Sequence, residues 1–355
     1  MPDLRGRIHN YGDICPIPPQ DTILAVQSLV LDDVDRKIIH ALYIDGRASF
    51  SRVADALQIS EQTVARRYRQ LHGAGVIRVV GQLDSQRLGQ SDWAVRVRCV
   101  PDAAMSVATA LARRPDTAWV QLTSAGTEIF CAIRTQDHRQ RTALLLETLP
   151  SSRRIVALEA YCLLHMFVTP ATGAPGAAMV LSAEEIGRLD MPEPVPAGRR
   201  GAALQDEDWT LMRALATDGR ATYRQLAART NWHESTVRRR MDELITAGVL
   251  YFDLDVDLAA LGIGTRAMLW MSVAPAKLME VGEALALHPE VPFAAATTGS
   301  TNLVASVACR DHYSLFEYLT REIAALEGVH HMETALIIRS IKMNATIDVA
   351  PMADQ

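Results

Sequence analysis

From Leu31 onward the apolar residues fall into a helical rhythm. Val34, Ile38, Ala41 and Leu42 lie at i, i+4, i+7 and i+8, one stripe of a helix that Asp45-Gly46 stops. A second short helix is predicted over 50–57 behind Ser49 as N-cap, followed by a Gln58-Ile59 turn. Ser60 caps a third helix that runs to about His72, Gly75 ends it, and 76–83 alternate as a strand. Three short helices and a strand predict a winged helix-turn-helix. The period then changes. Residues 93–100 alternate as a strand, 103–114 are helical, 117–123 and 129–134 are strands, 138–148 are helical and 155–167 are a strand. That order, β-α-β-β-α-β, is the ferredoxin-like split unit, with helices on one face of an antiparallel sheet.

Both patterns occur twice. The stretch 31–78 returns as 204–251 with no insertion, at a constant offset of 173, and roughly 40% of the aligned positions are identical. The second copy predicts helices over 208–216, 223–229 and 234–246 and a strand from Val249. Strands over 267–273, 291–297, 303–309 and 331–341 follow, with helices over 278–288 and 313–326. The period is a whole domain, so this is a duplicated protomer inside one chain. The fold class is α+β. Its parts are an irregular extension 1–30, a winged helix-turn-helix 31–82, a ferredoxin-like domain 83–168 and a linker 169–203. A second pair follows at 204–255 and 256–345, then a tail 346–355. The linker is rich in Pro, Gly and Ala, with one capping-box signal from Ser182 to Glu185. As a flexible chain it spans ~30 Å. A ferredoxin-like sheet leaves one face uncovered by its own helices, and the outer strands carry apolar side chains on both faces, from Val95, Val97, Ile155, Leu158, Tyr161 and Leu163 in copy one and from Met268, Trp270, Ala335 and Ile337 in copy two. Sheet-on-sheet packing of the two copies within one chain, as a pseudo-two-fold dimer, is the expected solution.

Composition narrows the function classes. The 355 residues are 49% hydrophobic, enough for real cores, with a net charge of −5 that argues against a general polycation. Five cysteines, at positions 15, 99, 131, 162 and 309, show no CxxC and read as reduced thiols. No apolar run approaches the ~18 residues of a membrane span, and no secretory leader is visible, so a cytoplasmic protein is expected. The ten histidines show no metal spacing, and no Walker loop, nucleophile elbow or GxGxxG is present. Catalytic residues, metal and cofactor are therefore not expected.

The third helices carry the candidate chemistry. Val64, Tyr68 and Leu71, and Val237, Met241 and Leu244, fall at i, i+4, i+7 and face inward. Gln62, Thr63, Arg66, Arg69 and Gln70 then face outward, as do Ser235, Thr236, Arg239 and Asp242. Ser60 and Arg238 join these as candidate DNA contacts. Arg67 and Arg240 sit at the boundary of the exposed face, where they either reach DNA or pair with an acid such as Asp33 or Asp206. Small polar residues at a helix start suit phosphate oxygens, and an arginine can fork onto guanine.

Leu-Asp-x-x-Asp, Asp-Gly-Arg-Ala and Thr-Val-x-Arg-Arg-x-x-x-Leu, each matched or nearly matched in both copies, resemble the DNA-binding half of the Lrp/AsnC family of transcriptional regulators. The ferredoxin-like domains resemble that family's amino-acid-binding domain. The resemblance implies double-stranded DNA as partner, an amino acid or related metabolite as effector, and oligomers built from whole chains. It also implies effector sites at the turn between the middle strands, which in the family reads Thr-Gly-x-x-Asp. Here the turns are Ser124, Ala125, Gly126, Thr127 and Glu128 in copy one, and Thr298, Gly299, Ser300, Thr301 and Asn302 in copy two. Alanine stands for the glycine in one, and an amide for the carboxylate in the other. A tandem chain departs from the single-copy pattern. Sirohaem decarboxylases resemble this architecture and give an enzyme alternative, but stretches 115–121 and 289–295 offer no central acid–base group for it. A scaffold that has lost DNA binding is the third class.

Overall fold

The computed structural model describes residues 30–114, 116–134, 142–168, 176–189, 204–343 and 346–347. The predicted extension up to residue 29, much of the linker and most of the tail lie outside them. From Leu31 the elements run α1 (Asp33–Ile44), α2 (Phe50–Leu57), α3 (Glu61–Gly73), β1 (Ile77–Leu83), β2 (Asp92–Cys99), α4 (Ala104–Ala112), β3 (Thr117–Thr123), β4 (Glu128–Arg134), a π-helical α5 (Ala143–Thr148) and β5 (Ile155–Val168). The linker carries α6 (Ala183–Arg188). The second copy supplies α7 (Asp208–Thr217), α8 (Tyr223–Thr230), α9 (Glu234–Thr246), β6 (Leu250–Val256), β7 (Thr265–Val273), α10 (Leu278–Ala286), β8 (Phe293–Thr297), β9 (Leu303–Cys309), α11 (His312–Tyr318), β10 (Val329–Met343) and β11 (Thr346–Ile347).

Local chemistry explains the helix starts. Asp32 and Asp35 form a reciprocal capping box on α1, and Ser49 and Ser60 accept from the amides of Arg52 and Thr63. Ile38, Leu42, Val53, Val64 and Leu71 close the first three-helix core, and Leu211, Leu215, Leu226, Val237 and Leu244 the second. The wing strands do not fold back within their own copies. β1 runs antiparallel to β6, with Ile77 opposite Val256 and Leu83 opposite Leu250, so each copy completes the other's wing.

The Asp-Gly-Arg-Ala motif locks that exchange. Arg47 donates to the carbonyls of Gly219 (2.6 Å) and Ala221 (3.3 Å), and Arg220 donates back to those of Gly46 (2.7 Å) and Ala48 (2.9 Å). Each guanidinium lies over rings of the other copy, Arg47 over Tyr223 and Phe252, Arg220 over Phe50 and Tyr68. Asp45 and Asp218 hold the turns by accepting from the Arg47 and Arg220 amides. Gly219 has no room for a side chain, since a Cβ there would stand 3.0 Å from the Val79 backbone.

The two ferredoxin-like sheets meet within one chain, as a pseudo-two-fold pair, and they join at their edges. The first half of β5 pairs with β2 and its second half with β8 of the other copy. β10 likewise pairs with β7 and then crosses to β3. The ring β10-β3-β4-β2-β5-β8-β9-β7 closes on β10, giving an eight-stranded barrel. Its interior core draws on both copies, with Ala94, Phe130, Tyr161 and Leu163 against Met268, Trp270, Ala295 and Val304. α4 and α10 lie outside, each over its own copy's sheet.

Part of the linker is packed, contrary to the expectation of a free tether. His40 Nδ1 accepts from the amides of Val180 (3.0 Å) and Leu181 (2.8 Å), and Lys37 pairs with Glu185 at 2.5 Å. The Ser182 capping box forms as expected. Among the described residues no helix is long and apolar enough to cross a membrane.

Candidate nucleic-acid interface and effector turns

On α3, Gln62, Arg66, Arg69 and Gln70 are exposed, with Ser60 at the cap also exposed and Thr63 half-buried. Ser60 and Thr63 hydroxyls lie 2.8 Å apart and share the capping interaction. Arg66 has no ion-pair partner among the described residues, while Arg69 donates to the Ala65 carbonyl at 3.1 Å. On α9, Ser235, Arg238 and Arg239 are exposed and Thr236 is half-buried. Arg239 pairs with half-buried Glu243 at 2.5 Å, and Arg238 lies over the Tyr223 ring. The helix starts differ: His233 occupies the cap position of Ser60 and makes no side-chain cap.

Arg67 and Arg240 require correction as candidate DNA contacts. Arg67 reaches back to Asp32 (2.7 Å) and Asp35 (3.3 Å), and Arg240 forks onto Asp208 (2.9 and 2.6 Å) and touches Glu243 (3.0 Å). Both tie the third helix of their unit to its first. The partner common to both units is Asp35 and its equivalent Asp208 (35 + 173 = 208), with the α1 cap Asp32 closer still to Arg67, and not Asp33 or Asp206. Burial pushes Asp208 up, but hydrogen bonds from Arg240 and the Gln205 amide, with Arg240's charge, outweigh it and hold its pKa below the ordinary value. Burial wins at Asp35, whose pKa is raised although the Asp32 amide and Arg67 oppose it.

The turns are built differently from expectation. In copy one Ser124, Ala125 and Gly126 have φ of 51°, 60° and 82°, three left-handed residues in a row, so Ala125 accepts a conformation that glycine would take without cost. Glu128 is not available to a ligand ammonium. It is 5% exposed and receives a two-point ion pair from Arg96 (3.1 and 2.9 Å), which also bonds Glu333 and lies over Trp270. In copy two Gly299 has φ 107°, and a Cβ there would meet the Tyr161 ring at 2.7 Å. Asn302 is likewise spent: its amide accepts from the Val273 N–H and donates to the Val273 carbonyl, both at 2.8 Å. Thr298 accepts from the Cys162 amide. Ser300 is exposed and Thr301 half-buried, so what remains open at this turn is backbone and small hydroxyls.

Comparison with known proteins follows the same division. The AsnC-type helix-turn-helix domain matches at 31–72 and again at 206–245, and the Lrp/AsnC ligand-binding domain matches at 266–347. The chain is a tandem member of the Lrp/AsnC family. An HTH-type transcriptional regulator of Pyrococcus abyssi is 33% identical over 147 residues, which is 41% of this chain and 92% of that protein. The HTH-type transcriptional regulator FL11 of Pyrococcus horikoshii is 27% identical over 41% of this chain and 97% of its own length. These Lrp/AsnC relatives are therefore about one copy long. Over the whole length, the fold is similar to a sirohaem decarboxylase, NirDL, with a TM-score of 0.56, 14% identity, and coverage of 87% of this chain and 93% of that one.

Proposed function

We propose that this Lrp/AsnC-type regulator reads one duplex operator with both helix-turn-helix units, α3 and α9 entering successive major grooves about one helical turn (~34 Å) apart. The observation that supports this is the pairing of Arg66 with Arg239 (66 + 173 = 239). Both are exposed, at equivalent positions on two helices whose units the crossed arginines and the shared ribbon hold together. Ser60, Gln62, Thr63, Arg69 and Gln70 on one side, and Ser235, Thr236 and Arg238 on the other, flank them. Ala65 stands where the second copy has Arg238, and Arg69 where it has Asp242, so the two half-sites differ. Replacing Arg66 and Arg239 together by Ala is predicted to cost about 2–6 kcal/mol of operator affinity, as two base-reading forks would. A titrated mobility shift tests it, and an unchanged affinity would overturn the reading.

An amino acid or related metabolite is the effector class supported by family membership, with the turn of Gly299, Ser300 and Thr301 the more open of the two and whole chains the units of assembly. Binding there stabilises only the state it prefers. A thermal-shift screen of the common amino acids at millimolar concentration tests this, and no stabilisation by any would reject amino-acid sensing while leaving DNA reading intact. The likeness to the decarboxylase is a likeness of fold, and no observation on this chain favours that chemistry.

A further inference from the structure

The packed part of the linker, residues 176–189, belongs to neither repeat and reaches from one body of the molecule to another. At its start the Gly176 amide donates to the Pro289 carbonyl at 2.7 Å, in the turn between α10 and β8 of copy two. The approach is so close that a Cβ on residue 176 would stand 2.5 Å from the Pro289 Cβ. Ala178 and Leu189 are buried, and α6 lies against α2 of the first helix-turn-helix unit. Between these two points the chain passes His40 of α1. The amides of Val180 and Leu181 both point at its Nδ1, at 3.0 and 2.8 Å. An amide N–H can only donate, so this nitrogen carries no proton and the neutral ring holds its proton on Nε2.

His40 is 3% exposed. A proton on Nδ1 would set three donors against one another in a space closed to water, and both hydrogen bonds from the linker would be lost. Burial holds the pKa of the ring below its ordinary value, and Glu185 of α6, which acts the other way, is outweighed. Lys37, one turn back on α1, pairs with Glu185 at 2.5 Å and holds that carboxyl below its ordinary value, so Glu185 stays ionised while His40 titrates. Residues 176–182 carry no charge. Arg36 donates to the Leu261 carbonyl, and on α2 Arg52 pairs with Asp45 while Asp55 is exposed. The second unit has no histidine at this place. Thr210 and Arg213 stand where the first has Lys37 and His40 (37 + 173 = 210; 40 + 173 = 213), and exposed Arg213 donates to Thr210 instead.

We propose that residues 176–189 are an acid-released strap. With His40 neutral the strap fastens the first helix-turn-helix unit to copy two of the barrel, and protonation of His40 opens it. The open strap leaves the ring an ordinary imidazole, whereas the closed strap makes it bind a proton less readily. Closure is therefore fully stabilised above the ordinary value of 6.5 and is lost as pH falls through the lowered one. Ile38, Leu42, Val53 and Leu71 close the core of α1–α3 from within the unit, so opening frees the strap and leaves those helices folded. Opening requires neither DNA nor an effector.

The test is hydrogen exchange on the full chain at about pH 7.5 and about pH 5, corrected for the intrinsic pH dependence of exchange. Protection of the Val180 and Leu181 amides and of α6 is expected to fall at least about fivefold in acid, within the roughly tenfold per pH unit that one unmatched proton allows. The amides of α1–α3 are expected to keep theirs over the same range. His40→Asn retains an acceptor that does not titrate and is expected to hold the strap at both pH values. His40→Leu removes the acceptor and is expected to leave it open at both. Unchanged protection in the wild type, or a loss in His40→Asn as large as in the wild type, overturns the proposal. If His40→Asn does not hold the strap at about pH 7.5, nitrogen NMR of the wild-type imidazole decides the matter. A neutral ring protonated on Nε2, with the Val180 and Leu181 amide signals shifting at the ring's own midpoint, supports the strap. A neutral ring protonated on Nδ1, or amides that ignore its titration, overturns it.

Discussion

Arg66 and Arg67 are adjacent in sequence and opposite in use. One turns its guanidinium to solvent, and the other reaches across to Asp32 and Asp35. The helical period placed both near the exposed face but could not say which acid lay within reach, because that depends on how α1 crosses α3. The same limit applies at Glu128 and Asn302, whose residue types fit a ligand site while their side chains are used by Arg96 and by the Val273 peptide. Asp208, fully buried against Arg240, carries the most direct test at this scale. Asp208→Ala leaves Arg240 without its main counter-charge and is predicted to cost about 3–5 kcal/mol in urea unfolding. A cost under about 1 kcal/mol would show that the pair behaves as a surface contact. The depressed pKa of Asp208 gives stability that is complete above the unfolded carboxyl value and lost as pH falls through the folded one. In the first unit two neighbouring carboxyls oppose each other: the raised pKa of Asp35 favours the folded state in acid and loses that contribution as pH rises through the raised value, while the pKa of Asp32, held down by the Asp35 amide and Arg67, gives stability that is lost as pH falls. Hydrogen exchange compared between about pH 3 and pH 7 is therefore predicted to show acid loosening α7–α9 more than α1–α3. Equal loosening of both units would contradict it.

At the scale of elements, most helices and strands were legible because each has a local period and a local cap. Ser60, Gly75 and the alternation after Val76 mark their boundaries before any tertiary contact is known. Strand partners were not legible. β1 pairs with β6, and β5 and β10 each change partner half-way along, since register between distant strands is set by side chains that meet only after folding. The sequence did hold one clue to the exchange. Asp-Gly-Arg-Ala recurs intact in both copies although a helix stop needs only the glycine. The surplus arginine is the one that crosses to the other copy's carbonyls. Arg47→Lys and Arg220→Lys keep the charge but lose the fork, and each is predicted to cost about 1.5–3 kcal/mol of stability. Urea midpoints indistinguishable from wild type would show that the crossing contacts contribute nothing net.

The whole molecule is a dimer's architecture written on one chain. The repeat implied this, and the closed barrel and shared ribbon carry it further than stacked sheets, because neither copy can satisfy its strand edges alone. The second copy expressed by itself loses the partners of β6 and β8, and sedimentation is predicted to find it self-associating to restore them. A stable monomer of that fragment would count against the barrel as an obligatory joint product. The intact chain should sediment as whole multiples of 38.9 kDa. Covalent joining also frees the halves to diverge, visible in Ser60 against His233 and Arg69 against Asp242, and from that divergence comes the central claim, that one chain reads two unlike half-sites. Selection from random duplexes with the wild type, Arg66→Ala and Arg239→Ala measures it directly. The account predicts an imperfect palindrome for the wild type, with each variant relaxing a different half. A perfect palindrome, no enriched motif, or both variants relaxing the same half would contradict it.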